Sequence, residues 1–349
     1  MSTVLTSALP KTMQALRFYA PRDIRLEEVT LPVLAEGDML IQIEVALTCG
    51  TDLKAYRRGH PVLLGELPAP FGHECVGRVV AIGDGVDPSW LAKRVVPANS
   101  APCSECTYCL REQFTQCESL KLLNGAYAEY LKLPKAIAQK NTYLVSDDIP
   151  VLQVAFAEPL AVCLRGIEVS RIQPSDSVAI VGTGPIALIL SQLAKKLGAH
   201  VAVLGRQMEK LEQTKLIGQA DAIISLSEVL PEKSFDVVID ATGVPECWEL
   251  ALSLVRNAGL VNFFGGCPRG STVTLSTERL HYDEVTVVSS FHHTPKHFKA
   301  AVEMLSSRQI DLRFLMTHEF PLAQIHDAFT LMDEGRASKI AIYPQSFGA

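Results

Sequence analysis

The chain has 349 residues, 48% hydrophobic and 20% charged, with a formal net charge of −6. That length exceeds the usual single domain and predicts two. The acidic balance, with no Lys/Arg block, argues against a nucleic-acid partner, which would need a basic face. The most apolar run, "VAIVGTGPIALILSQLA" (178–194), is broken by Gly182, Gly184 and Pro185 and is too short and interrupted to span a membrane.

In chain order, the N-terminal "MSTVLTSALPKTMQAL" carries no basic segment followed by a long apolar core, so no signal peptide is expected. The expected compartment is the cytoplasm, where thiols stay reduced and grouped cysteines read as metal ligands before disulfides. The first third alternates as strands do. "MLIQIEVAL" (39–47) and "CVGRVVAIG" (75–83) are short runs punctuated by Gly, Pro and Asp, which predicts an antiparallel, barrel-like region with long loops.

Two metal sites are legible in that region. Cys103, Cys106, Cys109 and Cys117 crowd one loop, "CSECTYCLREQFTQC". Four thiolates close a zinc tetrahedron and leave no position for a substrate, so this is read as a structural zinc lobe, about residues 97–120. An iron–sulfur cluster is disfavoured because the fourth cysteine follows after seven residues, with no proline behind it. The second set is scattered: Cys49 in "ALTCGTDLKAY", His73 and Glu74 in "PAPFGHECVG", Glu158 in "VAFAEPLAVCLRG". Cys, His and carboxylate around one ion, with one position open, make a Lewis-acid site.

From about residue 170 the rhythm becomes strand then helix. "SVAIVG", "HVAVLG", "AIIS", "FDVVIDATG", "LVNFFGG" and "VTVVSSF" are six expected strands, the pattern of a doubly wound parallel sheet. After residue 291 come helices near 295–308 and 321–334 and a last strand, "KIAIYP". The first βα turn reads Gly182-x-Gly184-x-x-Ala187. Gly182 allows the tight turn, Gly184 lets a pyrophosphate approach the backbone, and Ala187 permits close helix–strand packing. Pro185, Ile186 and Ala187 open the helix whose N–H groups face the anion. Where an acidic residue would bind a ribose hydroxyl, "HVAVLGRQ" places Gly205 and Arg206. With no carboxylate there to repel a 2′-phosphate and an arginine to pair with it, NADP is favoured over NAD. His292, His293 and His297 in "SFHHTPKH" read as a wall of the cofactor or substrate cleft. Cys75, Cys163, Cys247 and Cys267 read as small buried hydrophobes.

"CGTD" (49–52), "GHECVG" (72–77), the four-cysteine lobe, "AEPLAV" (157–162) and "VGTGPIA" (181–187) stand in the order and spacing of the zinc-containing medium-chain alcohol dehydrogenases. The chain resembles that family over essentially its whole length. It is most similar to the polyol (sorbitol or L-iditol) and threonine dehydrogenase branch, which carries "EPL" where other members place a third ligand cysteine.

The resemblance implies an α/β architecture: a GroES-like β-rich catalytic domain, 1–156 and 292–349, interrupted by a Rossmann domain, 157–291. It implies a second zinc on Cys49, His73 and a carboxylate. Glu74 would be a ligand and Glu158 would reach the metal through water, so both are kept. Asp52 would orient His73, and Thr51 would start a proton relay. Threonine dehydrogenases place a histidine where this chain has Lys54, which argues against threonine and leaves the relay's exit to that lysine. The implied reaction is oxidation of a secondary alcohol of a polyol, sugar or cyclitol to a ketone, with hydride passing to NAD(P). A homodimer or homotetramer is the implied assembly. A threonine 3-dehydrogenase-like or general alcohol dehydrogenase is the alternative. A zinc-free reductase would lack Cys49, His73 and the lobe, and a non-catalytic nucleotide-binding protein of the same fold would have lost a ligand.

Overall fold

The computed structural model describes residues 3–4, 9–60 and 64–344; most of the first eight residues, read above for a signal peptide, lie outside the described residues. The chain divides into two compact units, Met1–Glu158 with Thr294–Ala349, and Pro159–His293. The seams fall at 158/159 and 293/294.

After a two-residue strand at Thr3–Val4, the first unit forms an antiparallel hairpin of β1 (Thr12–Ala20) and β2 (Asp23–Thr30). Then follow β3 (Met39–Leu47), α1 (Gly50–Arg58), β4 (Glu74–Ile82), β5 (Arg94–Pro97), β6 (Tyr130–Leu133) and β7 (Thr142–Val145). β3 is almost wholly buried, as its run of Leu, Ile and Val requires. It pairs antiparallel with β4, setting Leu47 opposite Glu74 and Ala46 opposite Cys75.

The second unit begins in helix α2 (Ala157–Ser170) and alternates β8 (Ser177–Val181), α3 (Pro185–Lys196), β9 (His200–Gly205), α4 (Met208–Ile217), β10 (Ala222–Ser225), β11 (Phe235–Asp240), α5 (Pro245–Leu254), β12 (Val255–Phe263) and β13 (Thr286–Ser289). All six expected strands are present and pair in parallel, in the order β10-β9-β8-β11-β12-β13. The order reverses beside β8, the switch point at which such sheets bind nucleotides.

The tail returns to the first unit as α6 (Pro295–Ser306), β14 (Met316–Pro321), α7 (Ile325–Asp333) and β15 (Lys339–Tyr343). The helix expected near 321–334 is present as a 3-10 turn, Leu322–Gln324, running into α7, and an unexpected strand, β14, precedes that turn. "MTHEFP" has no fully buried side chain and no apolar alternation to announce it. β15 pairs parallel with β14 and antiparallel with β3, Ala341 opposite Leu47.

Of the four isolated cysteines, Cys75 and Cys163 are buried as expected, whereas Cys247 and Cys267 are only partly so. Cys247 sits in the first turn of α5, and Cys267 in the loop after β12, where less chain covers a side chain.

Rings from distant segments meet in the first unit's core. Phe71 lies 5.7 Å from Phe18 and 5.6 Å from Phe329, and Tyr127 meets Phe329 edge-on at 6.0 Å. Phe329, from the tail, is buried among them. Phe329→Ala is expected to cost about 3–5 kcal/mol, read as a lower urea midpoint for unfolding of the first unit.

Candidate metal and cofactor sites

Cys49 stands where β3 gives way to α1 and serves as the helix N-cap. Its sulfur accepts from the Thr51 N–H at 3.4 Å, and Asp52 Oδ2 accepts from the Cys49 N–H at 3.0 Å. A helix N-terminus favours a thiolate over a thiol. Burial pushes the Cys49 thiol up, the Glu74 carboxylate adds to that, and Lys339 and His73 oppose it.

His73 precedes β4, and its Nδ1 lies 2.9 Å from Asp52 Oδ1. That leaves Nε2 for another partner. Glu74 opens β4 and is buried with Lys339, which heads β15 and makes an ion pair to Glu74 Oε2. The other oxygen, Oε1, is buried with no hydrogen-bond partner among the described residues. One donor atom each from Cys49, His73 and Glu74 lies within 4.8 Å of the others. A buried carboxylate oxygen without a partner is costly unless a cation takes it up. Thiolate, imidazole and carboxylate are the donor types zinc accepts, so the three residues fit that ion.

Glu158, in the first turn of α2, is outside this trio; its Oε1 accepts from Asn99 Nδ2 at 3.1 Å. Burial, then the nearby Glu74 charge, pushes its carboxyl up to about 7. Thr51 is partly buried, Asp52 is buried, and Lys54 is exposed one turn further along α1, on the side of Thr51.

The four lobe cysteines also gather, their sulfurs within 4.8 Å of one another. Cys103 and Cys109 sulfurs are 3.8 Å apart, far beyond a disulfide. Backbone N–H groups serve the sulfurs: Cys106 N–H and Glu105 N–H donate to Cys103, and Cys103 N–H donates to Cys117. N–H groups of Cys109 and Glu118 bring the Cys106 thiol down to about 6, while burial lifts Cys109 to about 12. Such N–H donors stabilise thiolates, the form that binds metal.

At the first βα turn of the second unit, Gly182 has φ +125° and Gly184 caps α3 with Pro185 in the first turn. A Cβ placed on Gly184 would meet nothing within 4 Å, so open space fronts the first turn of α3, whose leading N–H groups have no partner within the helix. Ala187 is buried. Gly205 ends β9 with Thr183 and Leu211 so near that a side chain would clash. Arg206 is exposed.

Three residues of these sites went unread in the sequence: Tyr127, which donates to Asp52 Oδ2 at 2.6 Å, Lys339 and Asn99. Only Lys339 left a trace, a charge heading the otherwise apolar strand "KIAIYP".

The alcohol dehydrogenase GroES-like domain matches residues 35–142, and the zinc-binding dehydrogenase domain matches 185–307. An erythritol/L-threitol dehydrogenase of Mycolicibacterium smegmatis is 32% identical, over 97% of this chain and all of its own length. A D-arabinitol dehydrogenase of Uromyces fabae is 30% identical, over 97% of this chain and 99% of its own. A zinc-binding dehydrogenase of Sinorhizobium meliloti, solved with NADP bound, superposes with a TM-score of 0.87 at 26% identity, covering 96% of this chain and all of that one. The chain belongs to the zinc-binding alcohol dehydrogenase family, with a GroES-like domain and a Rossmann-like nucleotide domain. It is therefore an oxidoreductase of alcohol groups that uses a nicotinamide cofactor. No helix among the described residues is long and apolar enough to cross a membrane.

Glu158 yields a prediction with a definite sign. Its carboxyl titrates near 7 in the fold against about 4.5 unfolded, so its contribution is fully present below pH 4.5 and is lost as pH rises through 7. In protein stripped of metal, Glu158→Gln is expected to escape that loss and to exceed the wild type by about 1–3 kcal/mol at pH 8, with no such gain at pH 4.5, in urea titrations.

Proposed function

We propose that this enzyme oxidises a secondary alcohol of a polyol, sugar or cyclitol to the ketone, using two zinc ions per chain and preferring NADP to NAD. The observation that carries the reading is the trio of Cys49, His73 and Glu74, brought within 4.8 Å of one another from three separate segments, with Glu74 Oε1 unpartnered. Those residues would hold the catalytic zinc, with Glu158 in reserve, and Cys103, Cys106, Cys109 and Cys117 the structural one. The names of the erythritol/L-threitol and D-arabinitol relatives support the polyol class.

Zinc, when bound, supplies a Lewis acid that eases removal of a hydroxyl proton, and the nicotinamide supplies a hydride acceptor. The chain does the rest. Asp52 accepts from His73 Nδ1, which fixes the tautomer and keeps Nε2 available. The Thr51 hydroxyl would accept the substrate's proton as it releases its own to solvent on the exposed face of α1 beside Lys54. Lys339 neutralises one of two carboxylates that would otherwise crowd the site with negative charge. Gly182, Gly184, Pro185, Ile186 and Ala187 would cradle the pyrophosphate, and Arg206, next to Gly205, would pair with the 2′-phosphate. A lysine in place of a relay histidine sets the reading against threonine. The four-thiolate lobe, which needs reduced cysteines, supports a cytoplasmic location, and the family resemblance supports a dimer or tetramer.

Metal analysis is expected to find near two zinc ions per chain and near one in Cys49→Ala, whose activity should fall by about 10³-fold or more. One zinc in the wild type, or full activity in Cys49→Ala, overturns the catalytic assignment. Arg206→Ala is expected to raise the KM for NADP by about 10–100-fold and leave that for NAD unchanged. A panel of polyols, sugars and amino alcohols with both cofactors, read by nicotinamide absorbance, tests the substrate class.

A further inference from the structure

We propose that Tyr127 is a positioning residue of the catalytic metal site, its phenol and ring together locking Asp52 and His73 into the register that ligation needs. This rests on Cys49, His73 and Glu74 being the catalytic ligands.

The Asp52 carboxylate is buried and divided between two tasks. Oδ1 faces His73 Nδ1 at 2.9 Å. Oδ2 accepts from the Cys49 N–H at 3.0 Å and from the Tyr127 hydroxyl at 2.6 Å. A carboxylate rotates easily about its last torsion, and a torsion of this type has broad wells. The phenol on Oδ2 removes that freedom and leaves Oδ1 as the oxygen His73 meets. A hydrogen bond to a charged acceptor is among the stronger ones, and this one lies wholly inside the protein.

The ring acts on the other half of the site. Tyr127 is completely buried, and its ring lies against the backbone of Gly72, the residue before His73. A Cβ at Gly72 would sit 2.7 Å from the ring, and φ there is +90°, so glycine serves both the turn and the contact. The backbone is laced in the same place: Gly125 and Ala126 N–H donate to Gly72 O at 2.7 and 2.9 Å, and Tyr127 N–H donates to Phe71 O at 3.0 Å. One side chain thus touches the start of α1, which carries Cys49 and Asp52, and the loop that carries His73. Without the hydroxyl the ring still packs on Phe71 and Phe329, but Oδ2 keeps only the Cys49 N–H.

The test is Tyr127→Phe in the full-length, zinc-loaded enzyme, with zinc release measured by chelator competition. The expected result is a catalytic zinc bound about 10–100-fold more weakly, with the four-cysteine zinc retained as in wild type. Asp52→Asn and the double variant complete a cycle. If Tyr127 acts through Asp52, the double variant loses no more affinity than Asp52→Asn alone. Wild-type affinity in Tyr127→Phe, equal weakening of both zincs, or additive losses in the cycle would each overturn the proposal. A wild-type enzyme holding zinc only in the four-cysteine lobe would instead overturn the reading of the catalytic ligands on which it rests.

Discussion

The register between β3 and β4 is the constraint on which the chemistry depends. Leu47 faces Glu74, Cys49 follows two residues later, and β15 docks on the other edge of β3 with Ala341 opposite Leu47. A slip of one residue would turn Glu74 to the opposite face of the sheet. It is held by strands buried on both faces and by Thr48, whose hydroxyl and N–H both bond Ile340. The same pairing puts Lys339 against Glu74. Two buried charges are expensive to desolvate, and removal of either alone would leave the other uncompensated. The ion pair therefore favours one arrangement of strands over near alternatives.

The two candidate metal sites show opposite ways of gathering donors. The cysteine lobe is local: fifteen residues of loop bring four sulfurs together, and N–H groups of the same loop turn toward them. The other site draws on a helix cap, a loop, a strand start and the tail of the chain. Beyond the Cys49–Asp52 cap, its donors meet only when the sheet closes. That arrangement requires a supporting layer, in which Asp52, Tyr127 and Lys339 hold the candidate donors or their neighbours in place.

Much of this was legible in the linear chain. β3 and β9 match the expected runs residue for residue, because a buried strand is written as a short, mostly apolar segment bounded by turn residues. The Gly182–Ala187 turn was legible because its first position takes a backbone conformation that few residues other than glycine adopt, as φ of +125° at Gly182 shows. β14 was not legible, since its inward positions, Met316, His318 and Phe320, are only half-buried and include a histidine, so the alternation with exposed Thr317 and Glu319 is not written as apolar against polar. Nor was the partial exposure of Cys247 and Cys267, for burial depends on what the rest of the chain lays over a residue.

By itself the sequence determined the things that short-range physics decides: the βα series, the glycine turn, the four-cysteine lobe and the identity of scattered candidate donors. The tertiary structure alone decided which carboxylate joins Cys49 and His73. It set Glu74 beside them and tied Glu158 to Asn99. It also supplied Tyr127 and Lys339, separated from their partners by 75 and 265 residues. The reason is that hydrogen bonds and ion pairs are satisfied in space, and a side chain's partner is fixed only once strand register and burial have removed the alternatives.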